Sequence, residues 1–266
     1  MKTRVISAIV ALIIVVPLIV MGGTYYNIGV FLVALIGLKE FLDIKCFKKE
    51  LPIFIQFMAY IFMMLMMFNN INLLDMGFVL DYRLLSALFI TFLIPTVLYH
   101  DRKKYSINDA FCMIGGLMFL SISMSLLMTV RNMGLNILIY LLLITTMTDI
   151  FAYVTGMLIG KHKMLVEISP NKTWEGMVGG TLMGVFVSSM FYHTVIDPEF
   201  SKTLLVLISL FLSILGQFGD LVFSAIKRYF GKKDFGNIMP GHGGILDRLD
   251  SIIFVLLGFV FFVNIL

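Results

Sequence analysis

Charge is scarce in this chain. Only 14% of its 266 residues are Asp, Glu, Lys or Arg, against 60% that are hydrophobic. No polar stretch much exceeds about twenty residues, which leaves no room for a separate water-soluble domain. Cysteine is nearly absent. Cys46 and Cys112 lie far apart with no metal spacing, which speaks against a disulfide framework and a thiolate zinc site. The four histidines form no ligand cluster. His100, His162 and His193 lie near the ends of apolar runs and read as interfacial polar residues, while His242 stands in a glycine turn. No Ser-His-Asp or Cys-His device for covalent catalysis is visible. There is no repeat of fixed period and no low-complexity segment, and no nucleic-acid partner is expected.

Long apolar runs are what the chain does have. Mean hydropathy is +1.00, and crossing ~30 Å of hydrocarbon takes ~20 apolar residues at ~1.5 Å each. Nine such segments are expected, at about 5–22, 26–44, 52–69, 84–99, 108–130, 135–157, 176–194, 203–226 and 249–265. The fourth is the weakest. The expected fold is therefore all-α, a polytopic helical membrane protein forming a single membrane domain over residues 1–266. Residues 1–134 supply helices of general membrane character, and 135–266 the catalytic helices and loops. The N-terminus has the look of a signal peptide, but only more membrane follows, so it reads as a retained first helix. The methionine-rich patch from Met58 to Met67 reads as packing or lipid contact.

Basic residues assign the sides. With the N-terminus in the cytoplasm, the inside segments hold Lys2, Arg4, Lys45, Lys48, Lys49, Arg102, Lys103, Lys104, Lys161, Lys163, Lys172, Lys227, Arg228, Lys232, Lys233 and Arg248, and Lys39 lies at the inner end of the second span. The outside holds only Arg83, Arg131 and Lys202, so seventeen of the 20 Lys and Arg fall on one side. This alternation follows the positive-inside rule and puts the C-terminus outside.

Charges inside the spans are costly, at least ~2.5 kcal/mol for a carboxylate on insertion scales, so each should face a wet or paired interior. Asp149 sits late in the sixth span and Asp220 late in the eighth. Either could be a structural partner for a Lys on a neighbouring helix. Gln217, Asp220, Ser224 and Lys227 fall at spacings of three, four and three, which places them on one helix face. Asp247 and Asp250 open the ninth span, where a capping role for Asp250 is the plain alternative. Carboxylates converging on the loop between these spans suit Mg²⁺, an ion that completes its shell with waters and substrate phosphates. Pro240-Gly241-His242-Gly243-Gly244 leads into the ninth span. Its glycines permit close backbone approach to a ligand, or simply make a turn. In the connection before the seventh span, Ser169-Pro170 marks a turn. Thr173 is a candidate N-cap with Glu175 in the first turn. Lys172 is a phosphate ligand or an interface anchor, and Trp174 an interfacial aromatic.

Taken together, these residues are similar to a known set. Ser224-Ala-Ile-Lys227-Arg228, then Lys233-Asp234, then Pro240-Gly-His242-Gly243-Gly244-Ile-Leu-Asp247-Arg248-Leu-Asp250 resembles the signature of the phosphatidate cytidylyltransferases. Ile168-Ser169-Pro170-Asn171-Lys172-Thr173-Trp174-Glu175-Gly176 and Gly216-Gln217-Phe218-Gly219-Asp220 resemble two further motifs of that family. The match covers about residues 145–266. Met239 departs from the Leu, Ile or Phe usual before Pro240, and Phe151 stands where the family often has glycine.

The resemblance implies that CTP and phosphatidate give CDP-diacylglycerol and pyrophosphate, with Mg²⁺. It implies that Asp220, Asp247 and Asp250 serve the metal and, with Lys227, the catalysis. Ser169, Lys172, Thr173, Ser224, Arg228, Lys233, His242, Gly243, Gly244 and Arg248 are then expected to bind substrate. The expected location is the inner (plasma) membrane, multi-pass, with the site on the cytoplasmic face, and a homodimer is compatible with the sequence. The rival readings are a CTP-dependent lipid kinase, a cytidylyltransferase for another lipid, and an ion or solute transporter using Asp149 and Asp220.

Overall fold

The computed structural model describes residues 2–71, 82–99, 103–241 and 243–263. Nine α-helices are present among them: α1 (Lys2–Met21), α2 (Gly23–Lys48), α3 (Ile53–Ile71), α4 (Tyr82–Leu98), α5 (Ile107–Met133), α6 (Leu135–Ile159), α7 (Trp174–Phe191), α8 (Lys202–Tyr229) and α9 (Leu246–Phe259). Each falls on one of the nine expected runs. Four helices, α5, α6, α8 and α7 with its π-helical extension to Ile196, are long and apolar enough to cross a membrane. Shorter apolar helices accompany them at Ile9–Met21, Ile53–Phe68 and Tyr82–Leu98. The outward faces of these helices carry large apolar side chains, such as Leu12, Ile13, Phe57 and Leu182, as helices surrounded by lipid do.

One connection is not a simple loop. β1 (Lys163–Leu165) and β2 (Ser169–Thr173) form an antiparallel hairpin before α7. Ser169-Pro170 was expected to make the turn. Instead the turn lies at 166–168, and Ser169 and Pro170 open the returning strand. Proline is tolerated there because a two-stranded ribbon is all edge, so a missing N–H on the open side breaks no ladder bond.

The chain divides into two compact units. The first contains residues 1–129 and 234–246. Asp109, in the first turn of α5, binds Lys45 (2.8 Å) and Lys49 (2.5 Å) of α2 and accepts the hydroxyl and backbone N–H of Ser106. Met63 and Met67 of the methionine patch are fully buried in this unit's core. Cys112 is a free thiol.

The second unit contains residues 130–233 and 247–266 and is built on a tight α6–α7 contact. Gly176, Gly180 and Gly184 recur every fourth residue on α7. At Gly180 a Cβ would lie 2.5 Å from the Thr148 carbonyl, so no larger residue fits without separating the helices. Small residues at this spacing let membrane helices approach closely. Hydroxyl pairs join α8 to α6: Tyr140 to Ser209 and Thr148 to Ser213, both at 2.8 Å.

Candidate active site

α8 carries the site's spine. Gln217, Ser224 and Lys227 are buried along one face, with Asp220 between them. Gln217 Nε2 donates to Thr181 Oγ1 (2.7 Å) and the Met177 carbonyl (3.3 Å) on α7, which fixes that face toward α7. Gly219 lets α9 approach. A Cβ there would lie 2.7 Å from the Asp250 carbonyl and 2.8 Å from Phe254 Cβ. The glycine before Asp220 thus brings Asp220 and Asp250 into each other's field.

Lys172, from β2, reaches Asp220. Its Nζ lies 2.8 Å from Asp220 Oδ2 and donates to the Gln217 carbonyl at 3.2 Å. Ser224 Oγ donates to the other Asp220 oxygen at 3.3 Å. The next residue, Thr173, caps α7 by accepting the Gly176 N–H at 3.1 Å, as its position predicts. Glu175 binds the ring Nδ1 of His162 at 2.6 Å, closing the base of the hairpin. The hairpin is therefore the mount that delivers Lys172 to Asp220. Arg228 ties this mount to the end of α8, with Nε donating to the Ile168 carbonyl (3.4 Å) and Nη1 to the Lys232 carbonyl (3.1 Å).

A second ion pair lies deeper. Lys227 Nζ is 2.7 Å from Asp247 Oδ1, with side chains only 10% and 5% exposed. α9 begins at Leu246, earlier than the expected ninth span, so Asp247 occupies the first turn and Asp250 lies a turn further in. Asp250 is consequently not the cap of this helix, and its Oδ1 accepts the Ser251 N–H at 2.9 Å. Asp149 of α6 joins the group. It stands within electrostatic reach of Asp220 and Lys172. Asp250 in turn feels Asp220, Lys227 and Asp149.

Among the described residues the donors gathered here are carboxylates and hydroxyls, which suits a hard cation. Among the described residues no group of three or more His, Cys, Asp or Glu side chains is gathered to hold a metal ion. The arrangement fits Mg²⁺ in its usual mode, one or two carboxylates completed by substrate phosphates and water.

The remaining expected residues are distributed as follows. Ser169 is half-buried in β2, and Lys233 and Arg248 are exposed. His242 lies outside the described residues. Gly243 and Gly244 belong to the first unit, within the segment 234–246. Gly241 (φ +78°) and Gly243 (φ +84°) adopt left-handed backbone, and the Met239 N–H donates to the Gly243 carbonyl at 3.0 Å, closing the turn. Sequence reasoning left the role of Asp149 open and passed over Glu40, a carboxylate of α2 only 2% exposed. For Asp149 the available signal was a lone charge in an apolar run, whereas Glu40 stands beside Lys39 and three residues before Asp43 and gave no such signal.

Fold and site together define a polytopic helical membrane protein with a charged site supplied by α6, α8, α9 and the β1–β2 hairpin. The chain belongs to the cytidylyltransferase family, whose sequence model matches residues 2–266. It is 39% identical over 258 residues to a phosphatidate cytidylyltransferase of Staphylococcus haemolyticus, covering 96% of each chain. Proteins of the same name from Staphylococcus saprophyticus and Staphylococcus aureus are each 38% identical over 259 residues, again with 96% of each chain covered.

Proposed function

We propose that this protein transfers the cytidylyl group of CTP to phosphatidate, releasing pyrophosphate and leaving CDP-diacylglycerol in the membrane. The observation that carries this reading is the similarity, along nearly the whole chain, to relatives named phosphatidate cytidylyltransferase. The site's chemistry supports it. The acceptor is a phosphomonoester, which with a second pKa near ~6 is largely dianionic at neutral pH. Its oxygen attacks the α-phosphorus of CTP, the bond from that phosphorus to the bridging oxygen breaks, and pyrophosphate leaves with the electron pair. No strong base is needed, so the absence of a catalytic triad is expected. The work left to the protein is positioning and charge neutralisation between two anions.

Lys172 and Lys227 supply positive charge from β2 and α8, with Arg228, Lys233 and Arg248 as further phosphate contacts. Ser169, Thr173 and Ser224 are assigned to substrate contact on the strength of their motifs. Asp220, Asp247 and Asp250 are the carboxylates available to Mg²⁺, which when bound neutralises triphosphate charge and eases departure of pyrophosphate. The turn at His242, Gly243 and Gly244 is assigned to phosphate contact on the strength of its motif. The seventeen-to-three distribution of basic residues supports an N-terminus in the cytoplasm, a C-terminus outside and a site on the cytoplasmic face of the plasma membrane, where CTP is available.

The test is product analysis with purified protein, phosphatidate, Mg²⁺ and CTP labelled on either the α- or the γ-phosphorus. The α-label is expected in the lipid and the γ-label in pyrophosphate. A γ-label in the lipid with release of CDP would identify a lipid kinase instead.

A further inference from the structure

α9 begins without a cap of its own. The residues before Asp247 are Gly243, Gly244, Ile245 and Leu246, none of which carries a side-chain oxygen. The first N–H groups of a helix have no partner within it and must find one elsewhere. Here the partner comes from α2. Glu40 Oε1 accepts the Ile245 N–H at 2.8 Å and Oε2 accepts the Leu246 N–H at 2.9 Å, from more than 200 residues away in sequence. Both carboxylate oxygens are therefore used in one two-pronged grip, and the side chain is 2% exposed. The entire arrangement lies within the first unit.

The glycines of the segment are cut to fit this carboxylate. A Cβ on Gly236 would lie 2.7 Å from Glu40 Oε1, and one on Gly244 would lie 2.6 Å from Oε2. Neither glycine has a positive φ, so the close approach of Glu40, not backbone strain, is what excludes a side chain. A buried carboxylate in an apolar helix is an expensive way to cap a helix when Ser, Thr, Asp or Asn at the local N-cap position would do it. The remote cap does something a local one does not: it fastens the start of α9 to α2.

We propose that Glu40 is a positioning residue for cytidylyl transfer. Its carboxylate sets where α9 begins, and with it the register at which Asp247, one residue further on, Arg248 and Asp250 are presented. This rests on the reaction assigned above. It also gives the N-terminal helices a part in the chemistry that their apolar sequence does not announce.

The experiment combines amide hydrogen exchange with steady-state kinetics on the full-length protein in detergent, for wild type, Glu40→Gln and Gly236→Ala. Gln keeps the shape but turns an NH₂ toward one of the two N–H donors. The alanine crowds the carboxylate without changing its charge. In both variants the amides of Ile245 and Leu246 are expected to exchange at least about tenfold faster, as the loss of a charge-assisted hydrogen bond allows. Exchange in α6 and α7 should stay as in wild type. Turnover should fall at least about tenfold while the KM for phosphatidate stays within about twofold, the mark of an interaction realised at the reacting centre rather than in lipid binding. Unchanged exchange at Ile245 and Leu246 overturns the proposal, and so does faster exchange with full turnover. A wild-type protein that makes no CDP-lipid refutes the assigned reaction, and the exchange measurement then decides separately whether Glu40 holds the turn.

Discussion

Asp247→Asn is expected to cost at least about 10²–10³ in turnover, the range seen when one preorganised polar group is removed from a reacting centre. It should also destabilise the protein, because it leaves the Lys227 ammonium in a site where both side chains are at most 10% exposed. Breaking one side of a buried pair costs ~3–5 kcal/mol, whereas replacing both partners with uncharged residues of similar size is often close to neutral. Lys227→Met should behave like Asp247→Asn on both measures. The double variant Lys227→Met/Asp247→Asn then separates structure from chemistry. Thermal unfolding in detergent should show stability largely recovered, and the transfer assay should show no recovery at all. If the double variant regains activity along with stability, the pair is only a structural element and the catalytic roles given to it are wrong. Lys104→Ala, at an exposed position, is the control and should leave both measures unchanged.

The second large effect concerns Lys172, and its sign is informative. The Lys172–Asp220 pair is 27% and 33% exposed on its two sides, so breaking it should cost little stability, as with other solvent-accessible pairs. Lys172→Met removes the cation that lies against Asp220 and leaves Asp220 in the field of Asp149 and Asp250. A site with one positive charge fewer should attract a divalent ion more strongly, so half-saturation with Mg²⁺ should occur at lower concentration. Turnover should nevertheless fall about 10²-fold, because the same ammonium is assigned to a substrate phosphate. If Lys172 is merely the counter-ion of Asp220, turnover will survive the substitution. If half-saturation moves to higher Mg²⁺, the carboxylates and the ammonium do not share the site as described.

Much of this was readable in the residues because the bilayer imposes simple rules. A helix must satisfy its own backbone and be ~20 residues long, so apolar runs gave the nine helices present among the described residues to within a few residues. The 3–4–3 spacing of Gln217, Asp220, Ser224 and Lys227 gave the working face of α8, since helical periodicity is local. The same locality gave Thr173 as a cap. Contacts between distant segments were not readable. The β1–β2 hairpin was missed because strands of three and five residues carry too little alternation to register, and Ser169-Pro170 is a common turn signal. Asp247 was read as a catalytic carboxylate and metal ligand, and its ion pair with Lys227 depends on how α8 and α9 are packed. The approach of Asp250 to Asp220 depends on Gly219, whose missing Cβ says nothing until its neighbour is known. Glu40 lay beyond reach for the same reason, being joined to Ile245 only by the fold.

The central claim is that the carboxylates around Asp220 hold a divalent cation together with the phosphates of the nucleotide. The most direct measurement replaces Mg²⁺ with Mn²⁺ and follows its binding to detergent-purified protein by electron paramagnetic resonance, with and without CTP. For wild type, CTP should tighten Mn²⁺ binding, because the ion's shell is completed by phosphate oxygens. Asp220→Asn should weaken that ternary binding by at least about tenfold in a protein that remains monodisperse. Equal Mn²⁺ affinity in wild type and Asp220→Asn, in the presence of CTP, would contradict the account.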